Sequence, residues 1–137
     1  MTAVTYKNLP ELPPPIGLYS HVARVGNLAF FAGMAAIDAE GQVIGKNDLE
    51  AQMRAMYAEM GDALRAEGLT YSNVVQMTTY LVREQHIAEF YRVRELLYQE
   101  FYPDGKFPPN ALLIVSKLVD PDLLIEVQIA AAGDGPG

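Results

Sequence analysis

The feature that most constrains the fold of this 137-residue chain is a pair of segments with helical periodicity, set between short β-rich runs. The first segment carries apolar residues at three- and four-residue steps, which gives it one apolar face made of Leu49, Met53, Met56, Met60 and Leu64. Asn47 or Asp48 can cap its first N–H groups, and Gly68 stands where the helix should end. The second segment runs from about His86 to Tyr102. We therefore expect two amphipathic helices that share one core.

Runs rich in β-branched and aromatic residues surround these helices and predict short strands. They are residues 21–26, 28–33, 42–44, 74–82, 111–118 and 123–132. The resulting order, β-β-(β)-α-β-α-β-β, predicts the α+β class, with a mixed β-sheet and both helices on one face. We expect one domain over residues 1–137, with an extended, proline-rich lead-in at 1–15 and a flexible tail at 132–137.

The last two strand-like runs are apolar in both phases of the β alternation, at residues 112–115 and 123–125. Two helices can shield only one face of a sheet, so the other face also needs a cover. Self-association would supply that cover, and closed symmetric assemblies are its usual form. The sequence therefore predicts a homo-oligomer.

Composition excludes several functional classes. Seventeen acidic and ten basic side chains give a net charge of -7, and the basic residues are spread along the chain, which disfavours nucleic acid as a partner. The absence of cysteine removes disulfides, zinc-thiolate sites and cysteine nucleophiles. Neither a signal peptide nor an apolar run long enough to cross a membrane is found, so we expect a soluble cytoplasmic protein without a membrane partner. His21 and His86 lack metal-ligand spacing, and structural or surface roles are favoured for both.

One acidic residue stands in an unusual place. Glu126 lies within the apolar run LLIEVQIAAA, where a buried carboxylate has to be paired, hydrogen-bonded or directed into a cavity. Such a group is a candidate to hold or deprotonate a water molecule. The alternative is a glutamate that faces solvent from an edge strand, and the sequence leaves both interpretations open. Lys117, nine residues earlier, is a candidate cross-strand partner.

Several short motifs acquire meaning when they are considered together. They are Ile16-Gly17-Leu18-Tyr19-Ser20, Gly26-Asn27-Leu28 leading to Ala32-Gly33-Met34, Gln52 in the first helix, Phe107-Pro108-Pro109-Asn110, and Leu118 leading to Ile125-Glu126-Val127. In this order they resemble the Rid superfamily of reactive intermediate deaminases, also called YjgF/YER057c/UK114 proteins. The resemblance extends from about residue 14 to 131.

The resemblance implies a chorismate-mutase-like fold, assembled as a homotrimer with the sheets facing inward and a pocket at each of the three subunit interfaces. The best-known activity of the family is hydrolysis of reactive 2-imino acids to 2-oxo acids and ammonia, without a metal or an organic cofactor. By position, Glu126 and Tyr19 would be the catalytic pair, with Glu126 positioning the attacking water. Gly33 and Ala111 would contribute to substrate binding.

The residue before Ala111 departs from the family pattern. The resemblance places there an arginine that grips the substrate carboxylate, whereas this chain has Asn110, which has no charge and no guanidinium fork. Arg94, which stands where the family commonly has asparagine, either supplies the charge from another wall or is simply solvated. We therefore expect a deaminase or related hydrolase of a small imine or enamine that is not a standard 2-iminopropanoate deaminase. A non-catalytic trimer that binds small molecules or protects proteins is the alternative, and endoribonuclease activity conflicts with the net charge.

Overall fold

Seven strands and two α-helices occur in residues 3–135, the part of the chain that the structure, a computed structural model, describes. The strands are β1 (Val4–Lys7), β2 (Val22–Val25), β3 (Leu28–Phe31), β4 (Met34–Ala35), β5 (Val74–Leu81), β6 (Asn110–Ile114) and β7 (Ile125–Ala132). The helices are α1 (Leu49–Ala66) and α2 (Ile87–Phe101). This order confirms the α+β class predicted from the sequence.

All strands belong to one mixed sheet in the order β1-β2-β3-β7-β5-β6, and β4 pairs with β7 beside the end of β3. Only β5 and β6 run parallel, and α2 is the connection between them. Every other pairing is antiparallel. Strand β7 is therefore central, because it is hydrogen-bonded to β5 on one side and to β3 and β4 on the other.

The core lies between the helices and one face of the sheet. On β7 the side chains of Ile125, Val127, Ile129 and Ala131 alternate into it. On α1 the three methionines at 53, 56 and 60 are fully buried, which shows that the methionine stripe is core and not an exposed binding surface. Burying one such side chain contributes about 1.5–3 kcal/mol.

The helix boundaries follow local chemistry. Asp48 is the N-cap of α1, and its side-chain oxygen accepts a hydrogen bond from the N–H of Ala51 at 3.0 Å. After the helix, Gly68 has a φ of 73°, in the left-handed region that glycine adopts without steric cost. Both signals were visible in the sequence, and the predicted bounds of α1 are confirmed within one or two residues.

Several expected strand boundaries differ from the structure. Residues 42–44 form only an isolated bridge, between Ile37 and Val43, beside a turn in which the Asp38 side chain accepts from the N–H of Gln42. The run 111–118 is a strand only to Ile114. Residues 123–124 are buried loop, whereas residues 4–7 of the lead-in form β1. The predicted tail begins with the last residue of β7, and its last two residues lie outside the described residues.

The second face of the sheet is apolar and lacks a helix in the described part of the chain. Its members include large side chains that are 38–69% exposed, among them Val4, Tyr6, Leu28, Phe30 and Leu113. They belong to one face because they share register positions across neighbouring strands. Ala23 of β2, for example, lies between Tyr6 of β1 and Phe30 of β3. An apolar surface of this kind marks an interaction site. No helix among residues 3–135 is long and apolar enough to cross a membrane.

A buried glutamine connects α1 to the loop that enters β7. Gln52 is fully buried, and its amide NH2 donates to the carbonyl oxygens of Gly45 at 3.1 Å and Asp122 at 2.9 Å. Its amide oxygen accepts from the N–H of Leu124 at 2.8 Å. One side chain therefore satisfies three backbone groups, one of them buried and two partly buried, and fixes the approach to β7.

We expect Gln52→Leu to lower the free energy of unfolding by about 2–4 kcal/mol, because it leaves these three backbone groups without partners. Met53→Leu is the matched control, since it replaces the next buried residue of α1 with a side chain of similar volume and should cost less than about 1.5 kcal/mol. Urea unfolding at one fixed chain concentration measures both. Equal losses in the two variants would contradict the role of the hydrogen bonds.

Candidate functional site

A first cleft of about 800 Å³ lies between the lead-in and the ends of β4 and β7. Tyr19, Gly33 and Glu126 all line it, so the structure brings together three of the residues that the sequence singled out. Residues 12–17 form one wall, and residues 37–41 form another. The volume is in the range of small-molecule sites.

The carboxylate of Glu126 is half-buried in this cleft. Its neighbours Ile125 and Val127 point into the core, so the β alternation turns Glu126 to the opposite face, beside Tyr80 of β5 and Ala35 of β4. No lysine, arginine or histidine within residues 3–135 lies within 4.0 Å of it. Burial raises the pKa of Glu126 above its ordinary value of 4.5.

Gly33 makes room for that carboxylate. A Cβ at position 33 would lie 2.9 Å from the carboxyl carbon of Glu126 and closer still to its Oε2. The backbone of Gly33 does not need a positive φ, so space is what requires glycine here. Any side chain at position 33 would push the carboxylate away from its present place.

Tyr19 stands at the mouth of the cleft on a tight turn. Its backbone N–H donates to the carbonyl of Gly17 at 3.1 Å, and its phenol oxygen accepts from the N–H of Ile16 at 3.2 Å. The oxygen serves as an acceptor in that bond, so the phenolic O–H remains available as a donor toward the cleft.

His21 is structural, as the sequence favoured. Its Nδ1 accepts from the N–H of Leu9 at 2.7 Å, and its Nε2–H donates to the carbonyl of Pro13 at 2.9 Å. The ring therefore fastens the lead-in that forms one wall of the first cleft. His86 lies half-buried at the start of α2. Groups of three or more metal-ligating side chains are absent from the described residues.

Glu59 is a cleft residue that the sequence analysis did not find. It lies on α1 and lines the first cleft, where burial and, to a lesser extent, the charge of Asp62 raise its pKa to about 7. In the sequence it looks like an ordinary acidic residue on the polar side of a helix. It shares the lining of this cleft with residues 12–17 of the lead-in, a distant segment that no local pattern connects to α1.

Arg94 and Asn110 lie together in a second cleft of about 760 Å³, formed by α2, the loop after it and the start of β6. The Oδ1 of Asn110 accepts a hydrogen bond from the hydroxyl of Thr79 at 2.8 Å, and Thr79 is fully buried. Asn110 therefore points to the face of the sheet that α2 covers, whereas Glu126 points to the other face. In one chain these two side chains do not meet.

Three expectations differ from what the structure shows. Lys117 is not a cross-strand partner of Glu126, because β6 pairs with β5 and not with β7, and Lys117 lies in the loop after β6. The edge-strand interpretation of Glu126 is also wrong, since β7 is central. Ala111 is exposed opposite Thr78 and is not among the residues that line either cleft.

Comparison with known proteins gives the family. The family model described as endoribonuclease L-PSP matches residues 10–133. The chain belongs to this family, within the Rid/YjgF superfamily. A RutC family protein of Pyrococcus abyssi is 34% identical over 121 residues, which are 88% of this chain and 91% of the relative. The human 2-iminobutanoate/2-iminopropanoate deaminase is 31% identical over 109 residues, covering 79% of this chain and 75% of the relative.

A solved structure of the same superfamily shows the same fold. The YjgF gene product of E. coli superposes with a TM-score of 0.82 at 22% identity, covering 93% of this chain and 98% of the other. The Rid/YjgF fold of this chain therefore includes the strand order and the two helices described above. The family membership that the spaced motifs predicted is confirmed.

We expect Glu59→Gln to raise the melting temperature by a few degrees at pH 8 and to change it little at pH 4. The carboxyl titrates near 4.5 when unfolded and at about 7 when folded, so its contribution to stability is present below pH 4.5 and is lost as pH rises through 7. Glutamine stays neutral and avoids that loss. Thermal unfolding of both proteins between pH 4 and pH 8 measures the difference in melting temperature. Glu100→Gln, which removes an exposed carboxylate from α2, is the control for loss of charge. A stabilisation that is equal at both pH values would contradict this origin.

Proposed function

We propose that this protein is a hydrolytic deaminase of a small imine or enamine, and that its complete site forms between subunits of a homotrimer. The observation that carries the proposal is Glu126, a half-buried carboxylate in the first cleft with an elevated pKa and no cation within 4.0 Å among residues 3–135. The human relative named as a 2-iminobutanoate/2-iminopropanoate deaminase supports the reaction class.

The reaction adds water to a carbon–nitrogen double bond. Water attacks the imine carbon, its protons pass to the nitrogen, and the carbon–nitrogen bond breaks to leave a carbonyl compound and ammonia. A carboxyl group whose pKa is raised toward the working pH suits both halves of this sequence. As the carboxylate it accepts a proton from the water, and as the acid it returns that proton to the nitrogen. No metal or organic cofactor takes part in this scheme.

Tyr19 and Gly33 would assist Glu126 in the first cleft. The phenolic O–H of Tyr19 can donate to a substrate heteroatom, because the N–H of Ile16 already uses its oxygen as an acceptor. Gly33 lets its backbone lie close to the carboxylate, because a Cβ at this position would collide with the Glu126 side chain. Both residues lie within the same cleft as Glu126.

Assembly would join the two clefts. Glu126 and Asn110 point to opposite faces of one sheet, so a single chain cannot place them around one substrate. The second face of the sheet, which includes Leu28, Phe30 and Leu113, is apolar and suited to burial against another subunit. A trimer with inward-facing sheets would bury this surface and could bring the first cleft of one subunit against the second cleft of its neighbour.

Asn110 argues against the standard substrate of the family. Hydrogen bonds to charged groups contribute about 1.5–3 kcal/mol, compared with about 0.5–1.5 kcal/mol for neutral ones. An α-imino acid whose carboxylate meets Asn110 instead of arginine would bind roughly tenfold more weakly. The same substitution favours the second candidate function, a trimer that binds a small molecule without converting it.

The first test of function is hydrolysis of 2-iminopropanoate generated in the assay. We expect slow turnover by the parent protein and a gain of about tenfold or more in kcat/KM for Asn110→Arg, because the guanidinium restores a paired anchor. Glu126→Gln should lower kcat by about a hundredfold or more in the same background. Release of pyruvate and ammonia is measured, and Glu100→Gln, outside both clefts, is the control.

Other outcomes of the hydrolysis assay would contradict separate parts of the proposal. Fast parental turnover that depends on Glu126 and does not respond to Asn110→Arg would refute the argument about the anchor. Equal rates for the parent and Glu126→Gln would refute the catalytic role of that carboxylate. If Asn110→Arg and the parent are both inactive on this and other small imines, the non-catalytic trimer is the correct alternative.

The mass in solution tests the assembly. We expect about 45 kDa, three times the 15.1 kDa of one chain, by light scattering. Phe30→Glu places a charge on the apolar sheet face and should shift the mass toward 15.1 kDa. Leu96→Glu is the matched control, since Leu96 lies on α2 with 47% exposure against 46% for Phe30. A mass of 15.1 kDa for the parent protein would contradict the proposed trimer and, with it, the site between subunits.

A further inference from the structure

A single arginine lies among aromatic rings in the second cleft. Four aromatic side chains line this cleft: Tyr91, Tyr98, Tyr102 and Phe107. The guanidinium carbon of Arg94 lies 4.9 Å from the ring centres of both Phe90 and Tyr91, and 5.8 Å from that of Tyr98. These distances are those of cation–π contacts, which hold the guanidinium among the rings.

The charge of Arg94 is not balanced by an acidic partner. Within residues 3–135, no carboxylate oxygen lies within 4.0 Å of its nitrogens. Arg92, two residues earlier on α2, differs in this respect, because it pairs with Glu50 at 3.1 Å and with Glu89 at 3.7 Å. Arg94 is also only half exposed, so a bound anion would meet it in a partly dry environment where the attraction is stronger.

Asn110 supplies a second donor in the same cleft. Its Oδ1 already accepts from the buried hydroxyl of Thr79, so the amide NH2 is the part that remains for a ligand. Arg94 and Asn110 therefore both offer N–H groups, and a ligand must bring acceptor oxygens to match them. Glu95 also lines the cleft, but its side chain is exposed, where water screens its charge.

We propose that the second cleft binds a small planar carboxylic acid, conjugated or aromatic, with Arg94 as the anchor of the carboxylate. The guanidinium pairs with the two oxygens, the Asn110 amide donates to one of them, and the flat body of the ligand lies against the tyrosine rings. The inference rests on the proposed function, because it specifies the substrate class of that same site. It places the anchoring charge on α2 instead of at the start of β6.

Benzoate and benzamide provide the test, because they share a planar ring and differ in charge. Titration calorimetry on the whole protein should show benzoate binding at least about tenfold more tightly than benzamide. Arg94→Gln should weaken benzoate binding by about tenfold or more and leave benzamide binding nearly unchanged. Arg94→Lys keeps the charge without the planar fork, and its affinity for benzoate should lie between those of the other two proteins.

Arg92→Gln is the matched control, since it removes an arginine from the same helix outside the cleft, and its benzoate affinity should equal that of the parent. Circular dichroism and the mass in solution confirm that each variant is folded and assembled. The inference is overturned if benzoate does not bind below about 10 mM, if benzamide binds equally well, or if Arg94→Gln binds benzoate like the parent.

The anchor and the catalytic proposal can fail separately. Benzoate binding that depends on Arg94, in a protein that hydrolyses no imine, would leave the anchor in place and refute catalysis. Imine hydrolysis that depends on Glu126, together with benzoate binding that is unchanged in Arg94→Gln, would support catalysis and refute the anchor. The calorimetric measurement requires no turnover, so it reports on the anchor alone.

Discussion

The central position of β7 determines most of what this protein can do. The strand is hydrogen-bonded on both sides, and its odd-numbered residues from Ile125 to Ala131 are buried in the core. Each buried isoleucine or valine contributes about 1.5–3 kcal/mol, which fixes the register, because a slip by one residue would exchange the two faces. Glu126 is held on the other face by the same alternation. The core therefore stabilises the position of a carboxylate that would be costly within it.

The elements whose signals are local could be predicted from the sequence. Asp48 and Gly68 mark the ends of α1, and the methionine stripe identifies its buried face, because capping and periodicity depend on neighbours along the chain. Strand partners could not be derived in this way. The parallel pairing of β6 with β5 requires the crossover through α2, and it moves Lys117 away from Glu126. The position of Glu59 in one cleft with residues of the distant lead-in could not be derived in this way either.

In the candidate site, too, the sequence identified residues but not how the fold arranges them. The spaced motifs identified Tyr19, Gly33 and Glu126, and the structure places all three in one cleft. The motifs did not indicate that Asn110 points to the opposite face of the sheet, because a sequence motif records order and not direction. In the fold, the alternation of β strands separates these groups. The apolar sheet face, which no helix of residues 3–135 covers, is the physical reason for the subunit association that we propose.

Asn110 has a structural role of its own, because it accepts the hydrogen bond of the buried Thr79 hydroxyl. Thr79 is fully buried, and the Oδ1 of Asn110 accepts its hydrogen bond. A buried hydroxyl without an acceptor costs about 1–3 kcal/mol, and an arginine, which only donates, would not accept this bond. In this chain the start of β6 therefore supplies a structural hydrogen bond and no charge. Among the described residues that line the cleft, Arg94 is the one cation, and aromatic rings hold it where an acid could reach it.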